Sequence, residues 1–493
     1  MSSEQVRTLV KAVVSALGLY YGAKFLSFLR WRSEMNRRFK GPKPNFFLGN
    51  LGDLTAAGGF TEKFFETLHS AYGKVARFWI MTGGLNVSVT DVSDIQELYR
   101  KARSRPKETE LFLGYLGKEN LLFTHGPMVK KLRLRYGKMV STKEALLKVH
   151  DATIEHFESA IAEWGGDVPV NVHAKLGPIL YDIMGEVLFG SAWSSTEEGP
   201  RMMKLHLYLI HECNRWAFYP IAPWWNADYR KFVQTIKDLR ALCGSMISKR
   251  RAEIKANPAE YADDLTALNM LCTDKDADGT PFFSQARAIS TLIGFINGAY
   301  DTTHATSFWI FFRLAKHPEV QRKLIREIDA AIGKNKTPSL EELRDLKYLH
   351  AVIQESMRIR ATVPVNQRVN MEEDIVVGGN TIPKGCNVNI PMFLTFRDSK
   401  YFGEDTDKFI PERFVGASDA AKKARNSWIA FGAHARMCVG FTFGLAELKA
   451  IFVTVLQRYT IELENADQEG AFMIEAGVNQ PNPKFNFCFK ARR

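Results

Sequence analysis

Apolar residues recur at helical spacing through the middle of this chain. Between about residues 140 and 365, apolar side chains repeat at positions i, i+3, i+4 and i+7, which lie on one face of an α-helix. The clearest examples are residues 145–164, 229–255, 285–316 and 318–332. A further helix is expected to begin near Gly440. The pattern therefore predicts a mainly helical protein.

Shorter runs with the alternation of β-strands lie on both sides of the helical region. Residues 74–82 and 85–90 precede it, and residues 366–391 come after it with a Gly-Gly-Asn turn in their middle. Two more β-like pieces, residues 459–464 and 484–489, come near the C-terminus. We predict a mainly α fold with small β-sheets at one side.

The N-terminal stretch indicates contact with a membrane. Residues 6–29 are mostly apolar but contain Arg7, Lys11 and Lys24. A spanning helix needs about 20 apolar residues, a length reached here only if the lysines extend their ammonium groups to the interface. A short tilted anchor over residues 1–30 and an amphipathic helix in the membrane surface both fit. We favour the anchor.

Basic residues and prolines come directly after this stretch. Residues 31–50 contain several arginines and lysines and the sequence Gly-Pro-Lys-Pro, so we predict a basic, proline-containing hinge. Positive charge beside an anchor favours the cytosolic side for the rest of the chain. Because no Gly/Ser linker or repeat divides residues 51–493, we predict a single catalytic domain there.

Composition narrows the class of protein. The formal net charge is +12, but the basic residues are spread through helical patterns without a nucleic-acid-binding signature. Anionic lipid and an acidic protein are therefore better partners than nucleic acid. The six cysteines lie far apart, which excludes a disulfide framework and indicates reduced thiols.

One acidic loop partly matches the sequence motif of a calcium-binding site. Asp274, Asp276, Asp278 and Gly279 match the first half of an EF-hand loop. The twelfth position, which should be a bidentate glutamate, is Gln285. We predict an exposed turn between helices.

The segment from Phe431 to Gly440 carries the strongest chemical signal. It contains Arg436 and Cys438 and leads directly into an apolar helical stretch. Free backbone N–H groups at a helix start stabilise a thiolate, so Cys438 is placed as a metal-binding sulfur would be. This loop resembles the F-x-x-G-x-R-x-C-x-G pattern of the cytochrome P450 family. It departs at His434, where that family has glycine.

The resemblance implies haem b with Cys438 as the ligand of its iron. It implies that Phe431 packs beside the sulfur and that Gly440 lets the backbone turn beneath the porphyrin. Arg436 would bind a haem propionate. Arg133 and Arg368 resemble two further propionate-binding arginines of the family, each a weak signal alone. Val129 replaces the tryptophan expected four residues before Arg133, so the usual indole hydrogen bond should be missing.

Glu355 and Arg358 resemble the E-x-x-R element of the same family. Their spacing puts both on one helix face, where alone they would indicate a surface ion pair. The family element is instead buried behind the haem. Its third, structural partner would be Arg413, in a P-E-R-F segment.

Gly298 to Thr303 resembles the family's oxygen-activation element in a long helix. Glycine in mid-helix costs up to about 1 kcal/mol and needs a reason. The resemblance assigns two catalytic residues: Thr302 would hydrogen-bond the oxygen being activated, and Asp301 would bring protons from water. Taken alone, the segment also fits a helix kink with a solvent-facing Asp-Thr pair.

The resemblance implies a eukaryotic, microsomal haem-thiolate monooxygenase at the endoplasmic reticulum membrane, facing the cytosol. Electrons would come from an NADPH-dependent flavin-containing reductase, with cytochrome b5 as a second candidate donor. The basic residues Lys422, Lys423 and Arg425 fit either the donor's docking surface or an ordinary solvated face. The aromatic run 216–225 fits a substrate channel or membrane contact, and a sterol, fatty acid or similar lipid as substrate.

Two alternatives stay open. The first is a haem-thiolate isomerase or dehydratase that needs no external electrons, and the second is a non-catalytic, membrane-tethered haem- or lipid-binding protein. The presence of Asp301 and Thr302 favours monooxygenation.

Overall fold

The structure is a computed structural model. It describes residues 3–81, 83–101, 104–105, 114–166, 168–217, 223–369, 372–465, 472–475, 477–481 and 485–492. Helices predominate and small sheets accompany them, as the hydrophobic pattern predicts.

The α-helices are numbered here in chain order. They are α1 (Ser3–Arg38), α2 (Leu51–Ala56), α3 (Glu62–Tyr72), α4 (Val92–Lys101), α5 (Met128–Val140), α6 (Lys143–Ile161), α7 (Val172–Phe189), α8 (Glu198–Ala217), α9 (Ala227–Ala256), α10 (Ala267–Thr273), α11 (Gln285–Lys316), α12 (Pro318–Ala331), α13 (Leu340–Asp345), α14 (Lys347–Ile359), α15 (Met392–Thr395), α16 (Ser399–Phe402), α17 (Asp419–Ser427) and α18 (Phe441–Arg458). The four helices predicted between residues 145 and 332 are confirmed as α6, α9, α11 and α12, with ends within three residues of the prediction.

The strands described form one larger sheet and three two-stranded antiparallel pairs. They are β1 (Val75–Ile80), β2 (Gly84–Val89), β3 (Val365–Val369), β4 (Ile375–Val377), β5 (Asn380–Ile382), β6 (Asn387–Pro391), β7 (Tyr459–Leu463), β8 (Phe472–Glu475), β9 (Val478–Pro481) and β10 (Phe487–Ala491). The pairs are β4 with β5, β7 with β10 and β8 with β9. The larger sheet has the order β1-β2-β6-β3, with a parallel pair between β2 and β6. Part of the predicted piece 484–489 lies outside the described residues, and β10 continues beyond it to Ala491.

Helix α11 runs through the core. Its start is capped by the Ser284 hydroxyl, which accepts from the Arg287 N–H. It ends at Lys316, because Pro318 disfavours helical backbone at His317, the residue before it. Most of its 32 residues are buried against neighbouring helices and strands. Helix α11 therefore holds its side chains at fixed positions relative to the core.

Helix α1 is longer than the predicted anchor. It continues to Arg38, so the first part of the predicted hinge 31–50 is helical. Arg32 is buried and donates to the carbonyls of Asn45 and Phe46 at 2.8 and 2.7 Å, which ties the helix to the body of the protein. Within the residues described, no helix, α1 included, is both long enough and apolar enough to cross a membrane.

The calcium-like loop is an exposed turn, as predicted. Its two carboxylates nearest the core are held by Arg135, whose guanidinium lies 2.7 Å from Asp274 and 2.9 Å from Asp276. Arg135 thus offsets one of their two negative charges within the chain. The described part of the chain contains no cluster of three or more acidic, histidine or cysteine side chains that could hold a metal ion.

Candidate functional site

The Cys438 thiol lies at the start of helix α18. The loop before it is closed by a hydrogen bond from the Cys438 N–H to the Phe431 carbonyl at 2.8 Å. The Phe431 ring packs edge-to-face on Phe441, the first residue of α18, at 4.9 Å between centroids. The thiol itself is accessible, in contrast to the buried Cys213, Cys243 and Cys386.

Gly440 lies close to the sulfur without an unusual backbone conformation. Its φ is −87°, which any residue adopts, and a Cβ on it would lie 3.9 Å from the Cys438 Sγ. The glycine that actually turns the loop is Gly432, with φ +72°. Gly440 thus keeps the space beside the sulfur open, which differs from the turn expected of it.

The electrostatic surroundings of the thiol act in two directions. Desolvation by the surrounding protein atoms is the largest effect and raises the pKa of Cys438 although its side chain is accessible, and the Gly440 backbone and the Arg133 guanidinium only partly offset the rise. Arg133 also donates to the Met437 carbonyl at 2.7 Å, which fixes it beside the loop. The net effect is a raised pKa, and Arg133 and the start of α18 lie where they would stabilise an anionic sulfur.

His434 takes the backbone conformation that the family pattern reserves for glycine. Its φ is +54°, one of two positive values among the described residues other than glycine. Left-handed backbone costs an L-residue roughly 1–2 kcal/mol. The departure from the pattern is therefore a local strain in the turn before Arg436, and the His434 side chain is exposed.

We expect His434→Gly to stabilise the protein by about 1 kcal/mol, because glycine adopts this conformation without steric cost. Urea denaturation followed by circular dichroism measures the change. The neighbouring Ala435→Gly, in the same 3-10 turn but at an ordinary φ, is the matched control and should lower stability. Equal effects of the two substitutions would refute the strain at His434.

Four guanidinium groups gather beside the cysteine loop. Arg436 donates to the carbonyls of Leu121 and Thr124 at 3.0 and 2.6 Å. Burial, then the charges of Arg368 and Arg133, lower its pKa to about 10. Arg105 is affected in the same way, and its pKa falls to about 9 through burial and the charges of Arg368 and Arg436. This is a concentration of like charge inside the protein.

No ion pair between described residues involves Arg105, Arg133 or Arg368. Arg368 is fully buried, and its Nε has no hydrogen-bond partner among the described residues. Buried guanidinium groups without carboxylates fit a ligand that brings its own paired anions, such as the two propionates of haem b. The accessible thiol at a helix start fits the iron of the same group.

Arg105 was not identified from the sequence. An antiparallel bridge between Ser104 and Val369, with N···O distances of 3.2 and 3.0 Å, brings it beside Arg368. The only sequence signal is an arginine just before Pro106, where the chain is biased to extended backbone. Such a signal is too common to select a ligand-binding residue.

A hollow of about 650 Å³ opens at the same edge of the site, and Val129 lines it together with Arg133 and Arg436. The substitution of valine for the tryptophan of the family pattern thus coincides with open space beside the guanidinium groups.

The face of α11 that carries Gly298 and Thr302 is open. A Cβ on Gly298 would meet no atom within 4 Å. The Thr302 hydroxyl donates to the Gly298 carbonyl at 2.7 Å. A small residue and a hydroxyl therefore border free space on this helix, as a site for a small reactant needs.

Asp301 lies on the buried side of the same helix. Its side chain is 2% exposed and accepts a hydrogen bond from the Gln480 amide of β9. The structure therefore separates Asp301 from Thr302, because successive residues of a helix point about 100° apart. The solvent-facing Asp-Thr pair that the segment fits when taken alone is wrong for Asp301.

Glu355, Arg358 and Arg413 come together in the core. Arg358 binds Glu355 through two N···O contacts of 2.6 and 2.9 Å, and both side chains are fully buried. Arg413 reaches the same carboxylate at 3.4 Å. The surface ion pair that the spacing alone would indicate is thus excluded. The Glu355–Arg358 pair lies on helix α14. The Trp428 indole N–H donates to the Gln354 carbonyl of this helix at 3.0 Å, so α14 supports the cysteine loop.

Glu447 is a buried carboxyl that the sequence did not single out. It lies on α18 and accepts from the Thr303 hydroxyl of α11 at 3.2 Å. Burial raises the pKa of Glu447 to about 8. The contact links the helix behind the cysteine to the helix on the opposite side of the site.

We expect stability to fall as the pH rises because of Glu447. Below about 4.5 both the folded and unfolded states hold its proton, and between 4.5 and 8 only the folded state does. Each pH unit in that window then lowers the free energy of unfolding by about 1.4 kcal/mol. The accumulated loss at pH 7 is about 3 kcal/mol. Glu447→Gln, which can still accept from Thr303, should remove this slope in urea denaturation between pH 5 and 8.

The same substitution at exposed Glu341 is the control and should leave the slope unchanged. A Glu447→Gln protein with the wild-type pH dependence would show that another group is responsible.

The amino-acid sequence is similar to known proteins over most of its length. The family model for cytochrome P450 matches residues 39–489. The chain is 27% identical to cytochrome P450 4d2 of Drosophila melanogaster over 469 residues, 87% of this chain and 90% of that protein. It is 26% identical to cytochrome P450 2G1 of Rattus norvegicus over 479 residues, 92% and 93% of the two chains. It is 27% identical to cytochrome P450 714C3 of Oryza sativa subsp. japonica over 485 residues, 91% and 92%.

Proposed function

Because this chain belongs to the cytochrome P450 family, and is therefore a haem-thiolate monooxygenase that uses haem b, we propose that it oxygenates a membrane-dissolved lipid. The substrate class is a sterol, a fatty acid or a similar molecule. The observation that carries the proposal is the accessible Cys438 thiol at the start of α18, beside Arg105, Arg133 and Arg368, which form no ion pair among the residues described.

When bound, the haem supplies the chemistry that activates O2 and inserts one of its oxygen atoms into a C–H bond. Cys438 would hold its iron, and Arg105, Arg133, Arg368 and Arg436 would hold its propionates. The chain's own part is to position the substrate, keep water out and supply protons.

Two residues are proposed to act in catalysis. The Thr302 hydroxyl on the open face of α11 would orient the reacting oxygen by a hydrogen bond, and Asp301 would pass protons inward from water. Glu355, Arg358 and Arg413 would keep the cysteine loop in place through α14 without touching the reactants.

Exposed aromatic side chains support a membrane-dissolved substrate. Trp224 and Trp225, just before α9, are 72% and 61% exposed. Phe46 and Phe47 are also exposed, and Phe46 lies 6.4 Å from the Phe25 ring of α1. Aromatic rings of this kind suit the interface of a bilayer. We place the protein on the endoplasmic reticulum membrane, with its catalytic part facing the cytosol.

Carbonate extraction of microsomes tests this location. The protein should stay with the membrane fraction, and replacing Trp224 and Trp225 with serine should release part of it. Full extraction of the unaltered protein would contradict membrane residence.

The electron donor is proposed to be an NADPH-dependent flavin-containing reductase that docks on α5. Lys130, Leu134 and Lys138 are exposed at positions i, i+4 and i+8 and form a basic stripe with an apolar centre. Helix α5 lies against the cysteine loop, since Arg133 bonds Met437 and the Ser141 hydroxyl donates to the Val439 carbonyl at 3.2 Å. An acidic partner on this stripe would be next to the sulfur.

The other basic segment is engaged within the chain. Lys422 pairs with Asp419 at 3.6 Å. Arg425 donates to the carbonyls of Phe414 and Gly416 at 2.7 and 2.9 Å. The α5 stripe is therefore preferred over residues 422–425 as the docking surface.

We expect Lys130→Glu combined with Lys138→Glu to slow electron transfer from the reductase by roughly tenfold at low salt, because charge reversal opposes encounter with an acidic partner. Stopped-flow reduction in the presence of CO measures the rate. Lys422→Glu combined with Lys423→Glu is the matched control and should change it little. If the Lys422 and Lys423 double variant were instead the slower of the two, the docking surface would have to lie on α17.

The function is tested by incubating the protein with reductase, NADPH and a lipid extract. Products heavier than a substrate by one oxygen atom, formed only with NADPH and O2, are expected. Conversion without NADPH would indicate the isomerase or dehydratase alternative. Binding spectra without any conversion would indicate the non-catalytic alternative.

A further inference from the structure

Asn297 is a polar residue in a mostly apolar, buried stretch of α11. The residues before it, from Thr291 to Ile296, are buried apart from Gly294. Asn297 itself is half-buried, and the following Gly298 is exposed. Exposure on a helix that runs through the core means that these two residues border an internal space. An amide at this border calls for a partner, because a polar group out of water costs free energy unless it is hydrogen-bonded.

The Tyr115 hydroxyl fixes the orientation of the Asn297 amide. Tyr115 belongs to the 3-10 turn Gly114–Leu116 and donates its hydrogen to the Asn297 Oδ1. The Tyr115 side chain is 2% exposed, so this hydrogen bond is shielded from water. Among the described residues the Asn297 Nδ2 has no acceptor. The Nδ2 is therefore the part of the amide that is left to bind a ligand.

His206 of α8 lies beside the same amide. Its ring is fully buried, and its Nδ1 is hydrogen-bonded to the Tyr181 hydroxyl. Burial lowers the pKa of His206 to about 4, and the Asn297 side chain partly offsets this fall, so the two side chains are neighbours. The ring is thus neutral at pH 7. Its Nε2 has no hydrogen-bond partner among the described residues. A phenol that donates to Nδ1 leaves the ring hydrogen on Nε2, so the surroundings of Asn297 offer donors without acceptors.

The charge near Asn297 restricts the kind of acceptor that fits. Asp301 lies four positions further along α11, on the same face as Asn297. Burial, and then the negative charges of Cys213 and Asp301, raise the pKa of Tyr115. A carboxylate of a ligand would meet the same negative charge. A ketone, ester or hydroxyl oxygen accepts a hydrogen bond without carrying a charge, and is therefore the better match.

We propose that Asn297 is a specificity-determining residue whose Nδ2 binds a neutral oxygen atom of the lipid substrate, with Tyr115 as the positioning residue that orients it. This inference rests on the proposed function and narrows its substrate class. The substrate is a lipid with a ketone, ester or hydroxyl oxygen, such as a sterol, rather than a hydrocarbon or an ionised fatty acid. Asn297 precedes Thr302 by roughly 7.5 Å along the helix axis. The oxygen bound there anchors the substrate at a distance from the carbon that is oxidised.

The test measures ligand binding to the full-length, haem-loaded protein from the shift of its Soret band. Two matched sets of ligands are used. The first is cholestane, cholestanone and cholestanol, and the second is hexadecane, hexadecan-2-one and hexadecan-2-ol, with palmitate as its anionic member. The quantity compared is the Kd of a hydrocarbon divided by the Kd of its oxygenated counterpart. This ratio cancels changes in pocket size that affect both ligands.

In the wild-type protein we expect a ketone to bind roughly tenfold more tightly than its hydrocarbon in the set that fits the site. Asn297→Leu, which keeps the size of the side chain, should bring the ratio to about one or below, because the ketone then loses its donor. Tyr115→Phe should lower the ratio roughly threefold, since the amide is no longer held in one orientation.

Asn297→Asp separates recognition from a structural role. A carboxylate accepts from a hydroxyl but repels a carbonyl oxygen, so this variant should lose the ketone and retain the alcohol. If Asn297 served only to tie the 3-10 turn to α11, its replacement would weaken all members of a set alike. Should Asn297→Leu fail to fold, Asn297→Asp decides.

Thr291→Val is the matched control on the same helix. The Thr291 hydroxyl accepts from the Tyr136 hydroxyl at 2.8 Å, and both side chains are buried. This substitution also removes a tyrosine hydrogen bond of α11, but away from Asn297. It should lower stability without changing the ratio of dissociation constants.

The outcomes distinguish this inference from the proposed function. A wild-type protein that binds each hydrocarbon as tightly as its ketone would overturn the role of Asn297, and so would a ratio that survives in Asn297→Leu. Palmitate binding that is tighter than that of hexadecan-2-one and depends on Asn297 would overturn the preference for a neutral oxygen. Absence of binding by every member of both sets would instead contradict the lipid substrate of the proposed function.

Discussion

Cys438→Ala is expected to abolish the thiolate-type Soret band of the reduced, CO-bound protein and to bring oxygenation below detection. The reason is that the sulfur supplies both the bond to the iron and the electron density that favours O–O cleavage. Cys438 is the exposed cysteine at the head of α18; desolvation by neighbouring atoms raises its pKa, and the Gly440 backbone and Arg133 partly offset that rise. A reduced-CO difference spectrum of the purified variant, reconstituted with haem, measures the effect.

Cys386→Ala is the matched control for this experiment. Cys386 is buried and lies 3.5 Å from the Leu85 carbonyl in the larger sheet, and burial raises the pKa of its thiol to about 12. This substitution should leave the spectrum unchanged. A thiolate-type band that survives in Cys438→Ala would show that another residue binds the iron.

The sequence could predict which functional side chains lie close together where those residues belong to one helix or to the loop that leads into it. Glu355 and Arg358 are three positions apart on a helix, and that spacing alone fixes them on one face. Cys438 precedes α18 by a few residues, so its proximity to free backbone N–H groups is a consequence of the chain order. The burial of these groups could not be read from spacing, and required the family resemblance.

Contacts between distant segments could not be predicted. Arg105 reaches Arg368 only because a backbone bridge joins residues 104 and 369, and Gln480 meets Asp301 across 179 positions of the chain. Neither segment has a periodicity that marks the contact. Glu447 looked like an ordinary polar residue of a helix, yet it faces Thr303 in the core.

Arg32 shows the opposite kind of error, in which a local pattern suggests a surface residue that is in fact buried. It belongs to the basic segment 31–50, which is predicted to be a hinge whose positive charge keeps the rest of the chain on the cytosolic side. The structure instead stacks its guanidinium on Phe46 and Trp79, with 5.3 and 5.1 Å to the ring centroids. A charge count does not distinguish a solvated arginine from one that binds backbone carbonyls inside the protein, because both satisfy the same local pattern.

Arg358→Met is expected to destabilise the protein by about 3–5 kcal/mol, since it leaves the buried Glu355 carboxylate without its main partner. Arg358 also donates to three backbone carbonyls, at 2.7 to 3.1 Å. Those acceptors lose their donor at the same time. Urea denaturation followed by circular dichroism measures the loss, and the yield of haem-loaded protein should fall with it.

An exposed ion pair with the same i, i+3 spacing supplies the control. Arg100 pairs with Glu97 on α4, and its side chain is 61% exposed, so Arg100→Met should cost under about 1 kcal/mol. Adding Glu355→Leu to Arg358→Met should restore part of the stability, because no unpaired carboxylate then remains. The recovery is only partial, since Arg413 and the Ile410 N–H also bind Glu355. Equal losses at the buried and exposed pairs would contradict the structural role of the Glu355–Arg358 pair.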